Sequence, residues 1–178
     1  MNDRKQVRVV PYDETWPEVF RREHDALTAD LGPTCLAIHH VGSTSVPGLS
    51  AKPVIDIVME TPDLALIDGA IPLLQHRGYE ARGEYGIPGR RYFSRLAGSS
   101  FKVHLHVFQS GDPRIARHLV FRDFLRTHPP DAARYGELKT TLAREHVEDP
   151  VAYQAAKAHF IDELQARALE WERGESSR

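Results

Sequence analysis

Apolar and polar positions follow a mixed rhythm in the first part of the chain and a helical one in the last. Val7 to Val10 predicts a short strand. Thr15-Trp16-Pro17-Glu18 has the spacing of a capping box, with Thr15 as N-cap and Glu18 three residues on. Val19, Phe20, Leu27 and Leu31 then keep helical spacing up to the Gly32-Pro33 stop. Leu36 to Val41 reads as a strand, followed by the loop GSTSVPGLSAKP. Val54 to Met59 is an apolar run broken only by Asp56, the pattern of a strand covered on both faces. Thr61-Pro62 predicts a helix reaching Gly78, weakened by Gly69 and Pro72.

Three further strands are expected over Tyr79 to Arg82, Arg90 to Leu96 and Phe101 to Phe108, separated by GEYGIPG and AGSS. Beyond them the pattern is helical. Ser110 or Asp112 caps a segment running to about Thr127, and His128-Pro129-Pro130 breaks it. A second helix covers Asp131 to about Glu145, and a third runs from Asp149-Pro150 to about Arg173. The prediction is a single α+β domain, with a mixed sheet flanked by helices over 1–109, a helical part over 110–173 and a polar tail over 174–178.

Length and composition narrow this picture only a little. At 178 residues the chain can bury one core unaided, and its charge is −2, from 23 basic and 25 acidic residues. That balance argues against a dedicated nucleic-acid surface without excluding a local basic patch. One cysteine, Cys35, rules out an internal disulfide and a cysteine-based zinc finger. A lone cysteine in a strand is expected to act as a small buried hydrophobe. The N-terminus MNDRKQVRVV lacks the apolar stretch of a secretory signal, and no run approaches the ~18 apolar residues of a membrane span. A cytoplasmic protein without membrane contact is expected. Ten histidines are the compositional oddity.

Four features could carry chemistry. Gly42-Ser43-Thr44-Ser45 follows a strand, and its small residues and hydroxyls could take phosphate oxygens. It could equally be an ordinary turn, and it lacks the Gly-Lys-Ser/Thr ending of a Walker loop. Asp56 sits in an apolar strand, where an unpartnered carboxylate is costly. It could hold a divalent cation, or pair with Lys52 or an arginine. In Phe101 to Phe108 the apolar residues take one face, while Lys102, His104 and His106 take the other. That row suits a metal or phosphate oxygens, or a polar sheet face that happens to use histidine. Arg90 and Arg91 point to opposite faces of their strand and could bind phosphate or protect an edge.

These pieces carry a resemblance. Ile38-His39-His40-Val41-Gly42-Ser43-Thr44-Ser45-Val46-Pro47-Gly48-Leu49, with Ala51-Lys52-Pro53-Val54-Ile55-Asp56-Ile57, closely resembles the GrpB family. So do Val10-Pro11-Tyr12-Asp13, Arg90-Arg91-Tyr92-Phe93, His104-Leu105-His106-Val107, Phe121 to Arg126, Tyr135 with Lys139, and Tyr153 with Lys157. GrpB proteins look like members of the nucleotidyltransferase superfamily, with a polymerase-β-like fold. The resemblance implies that Ser43 and Thr44 bind nucleotide phosphates and that Asp56 ligates Mg²⁺. The superfamily's second acid falls on Val58, and its third falls on His104-Leu105-His106. His39 stands where the family pattern implies Glu. One carboxylate with imidazoles suits Zn²⁺, Mn²⁺ or Ni²⁺ better than Mg²⁺.

Two readings follow. The first is a metal-dependent nucleotidyl- or phosphoryl-transferase acting on a nucleotide or phosphorylated metabolite. Asp56, His104 and His106 would be its catalytic metal ligands, joined by His40. Gly42, Ser43, Thr44, Ser45, Lys52, Arg90, Arg91, Lys102 and Arg122 would hold phosphates, with the helical part either a lid or a structural cover whose basic face is solvated over core aromatics. The second is a binding module of the same fold without turnover, which Val58 favours. A serine-hydrolase reading fails because Gly42-Ser43-Thr44-Ser45 is not a nucleophile elbow.

Overall fold

The computed structural model describes residues 6–98 and 101–175. One mixed sheet has β1 (Ala37–Val41), β2 (Val54–Thr61), β3 (Glu80–Ala81), β4 (Arg90–Ala97) and β5 (Phe101–Gln109) in the order β1-β2-β5-β4-β3. The central β2–β5 pair is parallel and the other pairs are antiparallel. The fold is α+β, as the sequence pattern predicts. Six helices accompany the sheet: α1 (Trp16–Leu31), α2 (Leu64–Gly69), α3 (Ile71–His76), α4 (Pro113–Thr127), α5 (Pro129–Glu145) and α6 (Pro150–Glu175). The AGSS turn includes Ser99 and Ser100, and the polar tail ends in residues 176–178; these lie outside the described residues.

Strand alternation divides the sheet into two unlike faces. Ile55, Ile57, Met59, Phe93, Val103, Leu105 and Val107 point one way into the main core, against Trp16, Leu27 and Leu31 of α1 and Ile67 and Leu74 of α2 and α3. The residues between them, Asp56 and Val58, Tyr92, and His104 and His106, point the other way. That second face is closed in part by α4 through Ile115, which packs with Val41, Val58 and Phe108. Helices α4, α5 and α6 form their own cluster with Val46 and Leu49 of the β1–β2 loop. The helical half is thereby fixed to the loop that leaves β1, and the polar sheet face lies at the junction.

Several local expectations are corrected. Val7 to Val10 forms no strand; only an isolated bridge joins Val10 to Ala51. Thr15 is not a cap. Its backbone is already helical, and its amide and hydroxyl both donate to the Asp13 carboxylate at 2.8 and 2.6 Å. Glu18 instead pairs with Arg21 and Arg22. The helix expected over 61–78 is two short ones. Asp63 caps α2, and Pro72 falls in the first turn of α3, where its missing N–H does no harm. Likewise α5 begins at Pro129, two residues before the expected start.

Under the apolar face, Glu23 of α1 is 5% exposed and is held by Arg95 and by the Tyr79 hydroxyl at 2.8 Å. A buried carboxylate that loses one donor keeps an unmet desolvation cost. Tyr79→Phe is therefore expected to cost about 1–2 kcal/mol. Thermal unfolding should show a fall of roughly 2–8 °C, and an unchanged midpoint would mean water replaces the hydroxyl freely.

Candidate functional site

The parallel register of β2 and β5 sets Asp56 beside His104 and Val58 beside His106. His104 Nδ1 stands 3.3 Å and His106 Nε2 3.8 Å from Asp56 Oδ1. Among the described residues these three are the one group of histidine, cysteine and acidic side chains whose ligand atoms all lie within 4.8 Å of one another. Burial pulls the Asp56 carboxyl upward, but hydrogen bonding and electrostatic attraction from His104 and His106 together outweigh it and hold the group well below the usual carboxylate range. It is an anion at any physiological pH.

The turn after β1 is shaped around this carboxylate. Gly42 has φ 72° and ψ −173°, and a Cβ there would lie 2.6 Å from Asp56 Oδ2. Only glycine fits both the backbone and the space. The hydroxyls that follow divide sharply. Thr44 donates to the Val54 carbonyl at 3.0 Å and meets His40 Nε2, while Ser45 donates to the Gly42 carbonyl at 2.6 Å. Both are buried and hold the turn itself, so they are unavailable to phosphate as placed. Ser43 is not tied up in the turn in this way, and it neighbours the Tyr135 hydroxyl of the helical half.

Other expected residues separate in the same way. His40 belongs to the opposite side of the sheet: it is buried, stacks on Phe20 at 4.8 Å, and is not part of the Asp56 group. Burial pushes its imidazole down to about 4. His39 shares the Asp56 face but pairs with Glu60 at 3.0 Å. Arg91 is also on the wrong face, in a two-pronged pair with Asp68 at 2.5 and 2.7 Å. Arg122 donates to the His40 carbonyl and pairs with Asp123. Arg126 donates twice to the Ser45 carbonyl, so these two arginines clamp α4 to the turn. Lys102 stands exposed at the rim, opposite Val54.

Arg90, by contrast, enters the site. It is 6% exposed, held by the carbonyls of Glu84 and Tyr85, and its Nη1 donates to His106 Nδ1 at 3.1 Å. Arginine can only donate, so His106 Nδ1 accepts and the proton of the neutral ring sits on Nε2, facing Asp56. Tyr92 packs against both histidines, and burial together with the Asp56 charge pushes its phenol up to about 12. His118 of α4 closes the far side, 6.0 Å from the His106 ring, with its imidazole pushed down to about 4 by burial and by His106.

The sequence pattern of the GrpB protein family matches residues 6–167. The chain belongs to the GrpB family. Its sequence is similar to the UPF0157 proteins YqkA of Bacillus subtilis and BH1888 of Halalkalibacterium halodurans, each 37% identical over 98% and 91% of this chain. It spans half the length of the first and 82% of the second. A dephospho-CoA kinase of Mycolicibacterium paratuberculosis is 29% identical over 194 residues, of which this chain covers 47% of the length. The crystal structure of conserved protein GrpB from Enterococcus faecalis superposes with a TM-score of 0.87 at 37% identity, covering 93% of this chain and 99% of that one. The MgGTP-bound Cid1 poly(U) polymerase shares the fold alone, with a TM-score of 0.51 at 13% identity over 76% of this chain and 43% of that one.

In this GrpB chain the sequence reading missed how α5 and α6 meet the site. Lys139, named above only in the family resemblance, is 2% exposed. The available signal was the repeated spacing Tyr135-x-x-x-Lys139 and Tyr153-x-x-x-Lys157, which puts each lysine over a ring one turn back. Among the described residues no helix is long and apolar enough to cross a membrane.

Proposed function

We propose that this GrpB chain binds a nucleotide or phosphorylated metabolite together with a divalent cation, in the cleft between the polar sheet face and the helical half. The convergence of Asp56, His104 and His106 carries the reading. One carboxylate and two imidazoles form a donor set suited to Zn²⁺ or Mn²⁺ more than Mg²⁺. Bound there, the ion would polarise a phosphoryl oxygen. Ser43 and the Arg90 guanidinium would orient the phosphate, and Asp56 would counter the cation's charge. His106 joins the ion through Nε2 only after Arg90 releases Nδ1, because a ligating imidazole must carry its proton on the other nitrogen.

Val58 supports a second reading, binding without transfer. It is fully buried against Val41, Phe108 and Ile115, so the position offers a second cation no oxygen ligand. Calorimetric titration of Mn²⁺ and Zn²⁺, followed by a nucleotide turnover screen, separates the readings. Wild type is expected to bind one ion, and Asp56→Asn and His104→Ala each to weaken it at least tenfold. Equal binding by all three proteins removes the cation from the site. Nucleotide binding without turnover favours the second reading. Arg90→Gln, whose amide oxygen can accept from Nδ1–H, is expected to tighten cation binding about tenfold; weaker binding would show that Arg90 supports the ion instead.

A further inference from the structure

Lys139 Nζ is buried and has no hydrogen-bond partner among the described residues. Its close neighbour is the Tyr135 ring, 4.3 Å from nitrogen to centroid. Helix α6 repeats the pairing with Lys157 5.0 Å from the Tyr153 ring, and Lys52, just before β2, reaches the same ring at 5.1 Å. Lys139 lies near enough to Lys157 and Lys52, and Lys157 to Lys52, for their charges to lower its proton affinity, and all three sense Asp56. Burial, reinforced by the neighbouring lysines, brings Lys139 down to about 6 and Lys157 to about 8.

Aromatic faces soften a buried ammonium but give its N–H groups no lone pair to bond. Folding thus accepts a buried lysine beside two others, with one nearby carboxylate already engaged by two histidines. That arrangement costs stability in the protein alone, and an anion between the lysines would offset the cost. Ser43 marks where the anion would run, since Tyr135, whose ring meets Lys139, also neighbours Ser43 in the turn beside Asp56.

We propose that Lys52, Lys139 and Lys157 form a pocket for linked phosphates, so that the ligand of this cleft carries a di- or triphosphate rather than one phosphoryl group. This rests on the reading that the cleft takes a phosphorylated ligand. A single phosphate ester brings only about −1.5 to −2 charges at neutral pH. Each further linked phosphate adds charge along a chain long enough to reach from the lysines toward Ser43 and Asp56.

The probes are inorganic orthophosphate, pyrophosphate and tripolyphosphate, titrated calorimetrically without metal into wild type, Lys139→Met, Lys157→Met and Asp56→Asn. Tripolyphosphate and pyrophosphate are expected to bind at least tenfold more tightly than orthophosphate, with each lysine variant losing at least tenfold. Asp56→Asn is expected to retain or tighten binding, because it removes a like charge. Binding to wild type near pH 7.5 should also take up protons as Lys139 is charged, making the observed heat depend on the buffer. In Lys139→Met that dependence should shrink. Equal affinity for the three anions overturns the proposal, as does unchanged tripolyphosphate binding in folded Lys139→Met and Lys157→Met. Loss of cation binding in Asp56→Asn, with metal-free tripolyphosphate binding intact, would count against the cation reading alone.

Discussion

Gly42→Ala is expected to destabilise the fold by about 4 kcal/mol, combining a backbone conformation open essentially to glycine with a steric overlap. The overlap is unusually rigid. The new methyl would meet not only Oδ2 of Asp56 but also its Cβ and Cγ, at 3.1 and 3.2 Å. Asp56 is fixed by its central strand and by two histidines, so it cannot swing away without giving up the cluster. Gly48→Ala is the natural control: it also has positive φ, at 78°, but a Cβ there meets nothing within 4 Å. Thermal unfolding should lose roughly 8–16 °C for Gly42→Ala and clearly less for Gly48→Ala. Equal losses would mean that backbone strain alone is felt and that Asp56 yields.

Lys139→Met works in the opposite direction. Methionine fills similar space without a charge, and such replacements of buried ionic groups commonly stabilise by about 1–4 kcal/mol. The sign of the pH dependence follows from the lysine's affinity for protons. In the unfolded chain Lys139 titrates at its ordinary value of 10.5, and in the fold at about 6. Between these limits the unfolded state holds more protons, so wild-type stability attributable to this residue rises with pH. The penalty is complete below about pH 6 and disappears near 10.5. The advantage of Lys139→Met should therefore be greatest at pH 6 and close progressively toward pH 10. Lys157, Lys52, Asp56 and Tyr135 face the same nitrogen and must be matched between the two proteins. A pH-independent gap would place the Lys139 amine in contact with solvent.

Strand-level features were legible because they depend on period-two patterning, which burial enforces directly. The Lys102, His104 and His106 row against an apolar face was readable from β5 alone, and the isolated acid in β2 stood out for the same reason. What pattern could not supply was which strands become neighbours. The parallel pairing of β2 with β5 spans nearly fifty residues of intervening chain, yet it is what brings Asp56 to the histidines. Hydroxyls and arginines were harder still. Thr44 and Ser45 have the composition of a phosphate turn, but their oxygens close the turn itself. Arg90 and Arg91 are chemically identical, and strand parity could place them on opposite faces without saying which face holds the site. Lys139 was least legible, since a lysine in a helix is ordinarily solvated.

The seating of α4 bears on how such a cleft could change over time. A carboxylate introduced at position 58 would not meet solvent or a second ion; it would meet Ile115, Val41 and Phe108. Making room for it means lifting α4, and α4 is tied by Arg122 to the His40 carbonyl and by Arg126 to the Ser45 carbonyl. Lifting the helix would therefore also loosen the turn that carries Gly42 and Ser43. The acid and the helix contact exclude each other, so a path between a one-acid and a two-acid cleft needs several coordinated substitutions. Single mutations toward a second acid lose stability before they gain a ligand, because Val58 is buried under α4.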